Sequence, residues 1–255
     1  MIWLRTALFF TGWVLATFML GVLALPCLLS QRASWAVARG WAAASLCWLR
    51  LCCGVKTTLL GLEHLPNAPF LVASKHQSAW DTLVLWRQFK NPAFVLKREL
   101  YLIPIFGWYL RRTGQIAIDR KAGRAALQQI LQQAQHMVQQ KRTIVIFPEG
   151  TRVKPGEEKP FHAGVARLSQ ALGWPVVPAA LNGGCAWPKY TLKKYPGPAM
   201  VEFLPPQPAF VEPIGPWLEQ LQRLINTHSA MLEAQWHAAT ASDGYGAAVP
   251  HADIR

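Results

Sequence analysis

Residues 6–31 contain no charged side chain. An apolar run of this length, residues 7–29, can cross the roughly 30 Å hydrocarbon layer of a bilayer as one helix. A cleaved signal peptide is the competing reading. The run is longer than the roughly 7–15-residue apolar core of such a signal, and no clear A-x-A cleavage site follows it. A retained membrane segment is therefore predicted. The next stretch, residues 33–53, is also apolar but carries Arg39 and Arg50 among Trp35, Trp41 and Trp48. That mixture suits the membrane interface and predicts a return of the chain without a full second crossing. Arg32, Arg39 and Arg50 would then lie toward the cytoplasmic side.

Composition agrees with lipid contact: 52% of the 255 residues are hydrophobic and only 15% charged, with 12 Trp. The net charge of +13 draws the chain to polyanions, either nucleic acid or an anionic leaflet. The apolar N-terminus favours the leaflet, and no nucleic-acid partner is expected. Cys27, Cys47, Cys52, Cys53 and Cys185 are odd in number and form no C-x-x-C pair, which predicts free thiols in a reducing compartment and no metal site.

After Gly54 the texture changes to short apolar runs, at residues 55–60, 70–73, 93–96, 115–118, 143–147, 176–181 and 199–204. These read as strands. Leu127, Ile130, Leu131, Ala134, Met137 and Val138 recur at helical spacing between two of them, and Trp217, Leu218, Leu221, Leu224, Ile225 and Leu232 do so near the end. Alternating strand and helix patterns predict an α/β domain, a mostly parallel central sheet flanked by helices, preceded by the N-terminal membrane-associated helical segment. The expected division is 1–53 membrane anchor, 54–235 catalytic domain and 236–255 loose tail.

Three loops carry candidate chemistry. In the first, the run 70–73 delivers His76 to the carboxyl end of a strand, where open α/β sheets place ligands. His76 and Asp81, five apart, meet only if a helix begins between them, and Ser78 is a suitable N-cap. The carboxylate could then fix the imidazole tautomer and leave the other nitrogen as a base. The local alternative is a histidine merely satisfied beside a helix N-terminus. In the second loop, Asp119 and Arg120 end the strand at 115–118, and Lys121 and Arg124 follow at a helix start, where cations oppose the dipole. An anion recruited there is one reading and a solvated basic turn the other. In the third, Pro148-Glu149-Gly150-Thr151-Arg152 follows the apolar strand 143–147. Glycine permits a tight turn with exposed backbone N–H groups, and the Thr151 hydroxyl and Arg152 guanidinium suit a phosphate. Glu149 could hold Arg152 or contact a substrate hydroxyl.

His76-x4-Asp81, Gly114-x3-Ile118-Asp119-Arg120, Phe147-Pro148-Glu149-Gly150-Thr151-Arg152 and Val176-Val177-Pro178 occur in the order and approximate spacing of the four motifs of the glycerolipid acyltransferases. Over residues 55–205 the chain resembles that family, and within it the bacterial 1-acyl-sn-glycerol-3-phosphate (lysophosphatidic acid) acyltransferases. It departs at Lys75, where the family often has Asn, at Ala117, where an aromatic is frequent, and at His162, where Lys is common.

The resemblance implies transfer of an acyl group from acyl-CoA or acyl-carrier protein to the sn-2 hydroxyl of lysophosphatidic acid, giving phosphatidic acid for phospholipid biosynthesis, at the inner membrane with the catalytic domain facing the cytoplasm. It implies His76 as base, Asp81 as its orienter, and Arg120, Glu149, Gly150, Thr151 and Arg152 as binders of the acceptor phosphate. No resident cofactor is implied, and Lys97 could approach either phosphate or thioester. The rivals are a different lysolipid or a lipid amine as acceptor, and a non-catalytic basic membrane-binding module.

Overall fold

The structure is a computed structural model that describes residues 2–67, 69–119, 122–210 and 213–241. Its centre is a seven-stranded sheet in the order β1-β7-β6-β2-β5-β3-β4. The strands are β1 (Val55–Leu60), β2 (Leu71–Ser74), β3 (Ala93–Lys97), β4 (Ile116–Ile118), β5 (Ile144–Ile146), β6 (Val176–Leu181) and β7 (Gly197–Phe203). Each falls within a residue or two of a predicted run. All neighbours pair in parallel except β6 with β7. A mostly parallel sheet must be covered on both faces, which explains why the central strands β2, β5 and β6 are buried along their whole length, whereas the edge strand β1 alternates.

Alternate residues serve the two faces, as the strand period of two requires. Val72, Val145, Val177, Val201 and Phe94 join one buried cluster, whereas Leu71, Ala73, Ile144, Ile146 and Val176 join another. The second cluster is closed by α5 (Arg124–Gln139), α6 (Gly164–Leu172) and α8 (Ile214–Thr240) through Ile130, Val165, Leu168, Leu221 and Ile225. The first is closed by α3 (Ala79–Gln88) and by the N-terminal helices α1 (Ile2–Leu23) and α2 (Gln31–Cys53). Two shorter helices, α4 (Phe106–Arg112) and α7 (Gly183–Ala186), complete the set.

The N-terminus corrects two expectations. The apolar run does not continue as one helix to residue 29: α1 ends at Leu23, and a short 3-10 turn at Leu25–Leu29 leads into α2. Pro26, which lacks a backbone N–H, sits in that turn. The boundary at 53/54 is a change of element and not a gap in the core. Phe9, Ala42, Leu46, Leu49 and Cys53 belong to the same buried cluster as Val72, Leu85 and Phe203. α1 and α2 form an antiparallel hairpin tied by indole N–H donors: Trp13 to the Ser45 hydroxyl (2.8 Å), Trp41 to the Thr17 hydroxyl (2.9 Å) and Trp48 to the Phe9 carbonyl (3.1 Å). The tryptophans of residues 33–53 thus read as interfacial in sequence but are used in packing. The outer face of α1 remains apolar and exposed, with Trp3, Leu4, Leu8, Val14, Leu15, Phe18 and Met19 uncovered. Among the described residues α1 is the one helix long and apolar enough to cross a membrane.

At the other end, α8 runs past residue 236, the expected start of a loose tail. Trp236 and Thr240 are buried against the domain, which keeps the last turn in place. Residues 242–255 lie outside the described part.

Candidate active site

The central strands β2 and β5 are neighbours, and their carboxyl ends bring the first and third sequence loops together. Val153 N–H donates to the His76 carbonyl (2.8 Å), so the two loops also share a backbone bond.

Ser78 caps α3, and Asp81 is the third residue of that helix in a capping box. This arrangement satisfies orphan N–H groups at the helix start and turns Asp81 back toward the preceding loop. Its Oδ2 accepts from Gln77 N–H (2.6 Å) and Ser78 N–H (2.7 Å), and lies 3.1 Å from His76 Nδ1. A carboxylate is an acceptor only, so the Nδ1 position carries the proton and Nε2 keeps a lone pair. Asp81 is fully buried, whereas the His76 side chain is 16% exposed. The imidazole stacks on Phe147, with ring centres 3.9 Å apart and planes 17° from parallel. Gly183 at the start of α7 leaves room for Asp81, because a Cβ there would collide with its Oδ1 and with the Trp80 ring.

His76 stands at the rim of a cavity of about 730 Å³. Apart from His76 and a few polar groups it is lined by apolar residues of α1, α2, α3, α4 and β3, among them Trp13, Phe18, Ala38, Leu83, Leu96 and Phe106. This is within the size range of small-molecule sites, and its walls suit a hydrocarbon chain. Lys97 also lines it, half-exposed and paired with Glu99 at 3.2 Å.

Glu149 has Lys75 as its ion partner in place of the expected Arg152, and it also lines the cavity of the Gly150–Thr151 turn. Its side chain is wholly buried, with Oε1 2.8 Å from Lys75 Nζ and Oε2 accepting from His76 N–H at 3.0 Å. Burial pushes its carboxyl above the ordinary range, and the Lys75 ammonium and the His76 N–H offset this in part. It binds the two loops to each other because a buried cation lies within reach. Gly150 takes a left-handed turn (φ 66°) and donates to the Phe147 carbonyl at 3.0 Å. Gly150 and Thr151 line a second cavity of about 370 Å³ with Lys159, Pro160, Phe161 and His162. The His162 ring lies against Gly150, 3.0 Å from where a Cβ would be. Arg152, next in the chain after Thr151, is half-buried, and its carbonyl accepts from Lys189 Nζ at 2.9 Å. Arg120 lies outside the described residues. Its neighbour Asp119 ends β4 at the far edge of the sheet, 3.2 Å from Arg98 Nη2.

Sequence reasoning therefore brought His76, Asp81, Glu149, Gly150 and Thr151 to one edge. It missed Lys75 as an ion-pair partner, Phe147 as a stacking surface, and Lys159 and Gly183. Phe147 was within reach of the pattern, since it ends the strand just before the Pro148 turn. Lys159 had no signal beyond its charge.

Comparison with known proteins shows the family of the chain. An acyltransferase family profile matches residues 56–182. A 1-acyl-sn-glycerol-3-phosphate acyltransferase of Pseudomonas aeruginosa is 37% identical over 201 residues, covering 78% of each chain. The chain belongs to the acyltransferase family. A chloroplastic acyltransferase of the same name from Brassica napus is 33% identical over 130 residues, half of this chain and 38% of that longer one. The crystal structure of a 1-acyl-sn-glycerophosphate acyltransferase from Thermotoga maritima superposes with a TM-score of 0.75 at 21% identity, covering 92% of this acyltransferase and 97% of that chain. The shared fold includes the N-terminal region, since the superposition extends well beyond the part matched by the family profile.

Proposed function

We propose that this acyltransferase moves a fatty acyl group from an acyl thioester to the sn-2 hydroxyl of lysophosphatidic acid, making phosphatidic acid. The observation that supports the reading is His76, held by Asp81 and Phe147 in the wall of the apolar cavity, with its backbone N–H bonded to Glu149, which lines the cavity of the Gly150–Thr151 turn. The acyl chain would occupy the cavity, and the acceptor phosphate the turn with Arg152, Lys159 and His162. The names of the Pseudomonas and Brassica relatives agree with the acceptor.

In this mechanism His76 Nε2 takes the hydroxyl proton as the oxygen attacks the thioester carbonyl. Asp81 stabilises the imidazolium that forms. The C–S bond then breaks, and the thiolate of coenzyme A or acyl-carrier protein leaves with the proton returned by His76. The acceptor is its own nucleophile, so the step needs neither an acyl-enzyme nor a metal or resident cofactor. The exposed face of α1 would hold the enzyme in the bacterial inner membrane, with the site on the cytoplasmic side, where it meets lipid acceptors.

Thiol release from acyl-CoA with lysophosphatidic acid tests the reading. His76→Ala should lower kcat by about 10²- to 10⁴-fold while the protein stays folded and membrane-bound. Full activity in that variant would remove the base. Arg152→Ala should raise the KM for lysophosphatidic acid by about tenfold with little change in kcat, and equal rates with lysophosphatidylcholine would argue for a different acceptor.

A further inference from the structure

α8 lies beyond residue 182, where the match to the family profile ends, and its sequence reads only as an amphipathic packing helix. Yet three polar residues on its inward side, Asn226, Ser229 and Glu233, are buried. Their spacing of three and then four places them along one face. Asn226 Oδ1 accepts from Lys75 Nζ at 2.9 Å, and Glu233 Oε1 accepts from Gln77 Nε2 at 2.5 Å. Lys75 and Gln77 are the chain neighbours of His76, and both are buried. Each contact is part of a larger set. Lys75 also bonds the Glu157 carbonyl (3.1 Å) and pairs with Glu149, while Glu233 Oε2 accepts from Gly156 N–H (3.0 Å) and Gln77 Oε1 accepts from Gly184 N–H (3.1 Å).

We propose that α8 is a positioning element for acyl transfer: Asn226 and Glu233 grip the residues on either side of His76 and so fix the imidazole against Asp81 and Phe147. The proposal rests on His76 being the base. The four-residue loop between β2 and α3 has its backbone held by Asp81, Glu149 and Val153, but burying the side-chain amide of Gln77 and the ammonium of Lys75 without partners would be costly. The two α8 acceptors each take a bond from one of these groups, Asn226 from Lys75 beside its other partners Glu149 and the Glu157 carbonyl, and Glu233 from Gln77. Catalysis is sensitive to such placement, since a misplacement of about 1 Å can lower a rate by about a hundredfold.

The test compares Asn226→Leu and Glu233→Leu with Ser229→Ala, which breaks a bond from the same helix face to Leu181 N–H (3.2 Å) without touching the loop. Hydrogen–deuterium exchange of a peptide covering residues 74–82 should quicken by about tenfold in the two leucine variants and not in Ser229→Ala. Their kcat should fall by about tenfold or more with acceptor KM within about twofold of wild type. Asn226→Asp and Glu233→Gln, which keep an acceptor oxygen, should recover most of the rate. Exchange no faster than in Ser229→Ala would overturn the clamp. Faster exchange with unchanged kcat would overturn the positioning role, whereas failure of the base reading shows as full activity in His76→Ala, so the two ideas fail separately.

Discussion

At the scale of single residues, Lys75 is the position whose chemistry differs most from its appearance. It stands where the resembling family often has Asn, and nothing in the local sequence gives it a partner. In the structure it is buried and pairs with the buried carboxylate of Glu149 at 2.8 Å. Removing one member of such a pair strands the other charge, at a cost of about 3–5 kcal/mol. Lys75→Met should therefore lower the thermal unfolding temperature strongly, and Lys75→Met with Glu149→Gln should restore much of the loss. The sign of the pH dependence follows from burial, which raises the Glu149 carboxyl above its ordinary value of 4.5. Between 4.5 and that raised value the folded protein holds a proton that the unfolded chain has released, so stability falls as pH rises through this window. Without Lys75 this effect is larger, and the deficit of Lys75→Met should grow from pH 5 to pH 8. A deficit independent of pH would show that the ammonium is not what compensates Glu149.

At the scale of elements, the strands were legible because a doubly covered parallel sheet demands continuous apolar runs. The start of α3 was legible because Ser78 is a suitable N-cap, and the capping box it forms turns Asp81 toward His76. The role of α2 was not. Its arginines and tryptophans match an interfacial helix, and only the folded structure shows that the Trp41 and Trp48 indoles donate to α1 and that of Trp35 to the Thr113 carbonyl. Arg142 was equally hidden: buried at the opposite end of β5, it donates to the carbonyls of Asn91, Pro92, Thr113 and Gly114. Burial lowers its guanidinium to about 10, still charged at neutral pH. Such pairings join residues tens of positions apart, and no local pattern carries them. The hairpin makes its own prediction. A Cβ at Gly12 would lie 2.7 Å from the Trp48 ring, whereas one at Gly40 meets nothing within 4 Å. Gly12→Ala should destabilise by about 1–3 kcal/mol through overpacking, while Gly40→Ala should be neutral or gain up to about 1 kcal/mol from helix propensity. Thermal unfolding in detergent checks the pair, and equal effects would mean that α1 does not seat on α2 as described.

At the scale of the whole molecule, the N-terminal helical hairpin and the sheet domain share one core, and Lys194 is part of the seam. Its backbone N–H donates to the Thr6 hydroxyl at 3.1 Å, across 188 positions of sequence. Its Nζ lies 4.5 Å from the ring centre of Phe10 and 4.9 Å from that of Trp187, and donates to the Leu192 carbonyl at 2.7 Å. Since α1 and α2 also wall the cavity that His76 lines, this seam helps to set the distance between the exposed apolar face of α1 and His76. Burial lowers the Lys194 ammonium from the ordinary 10.5 to about 7. Between those values the unfolded chain carries a proton that the folded protein lacks, so stability rises with pH across the window. Below about 7 both states are protonated and the full cost of the buried charge is present. Wild type should accordingly gain stability from pH 7 to pH 10 relative to Lys194→Met, which has no such group, and each kcal/mol gained should appear as about 2–4 °C in the unfolding temperature. Parallel curves for the two proteins would mean that Lys194 titrates in solvent and that the seam opens at this corner.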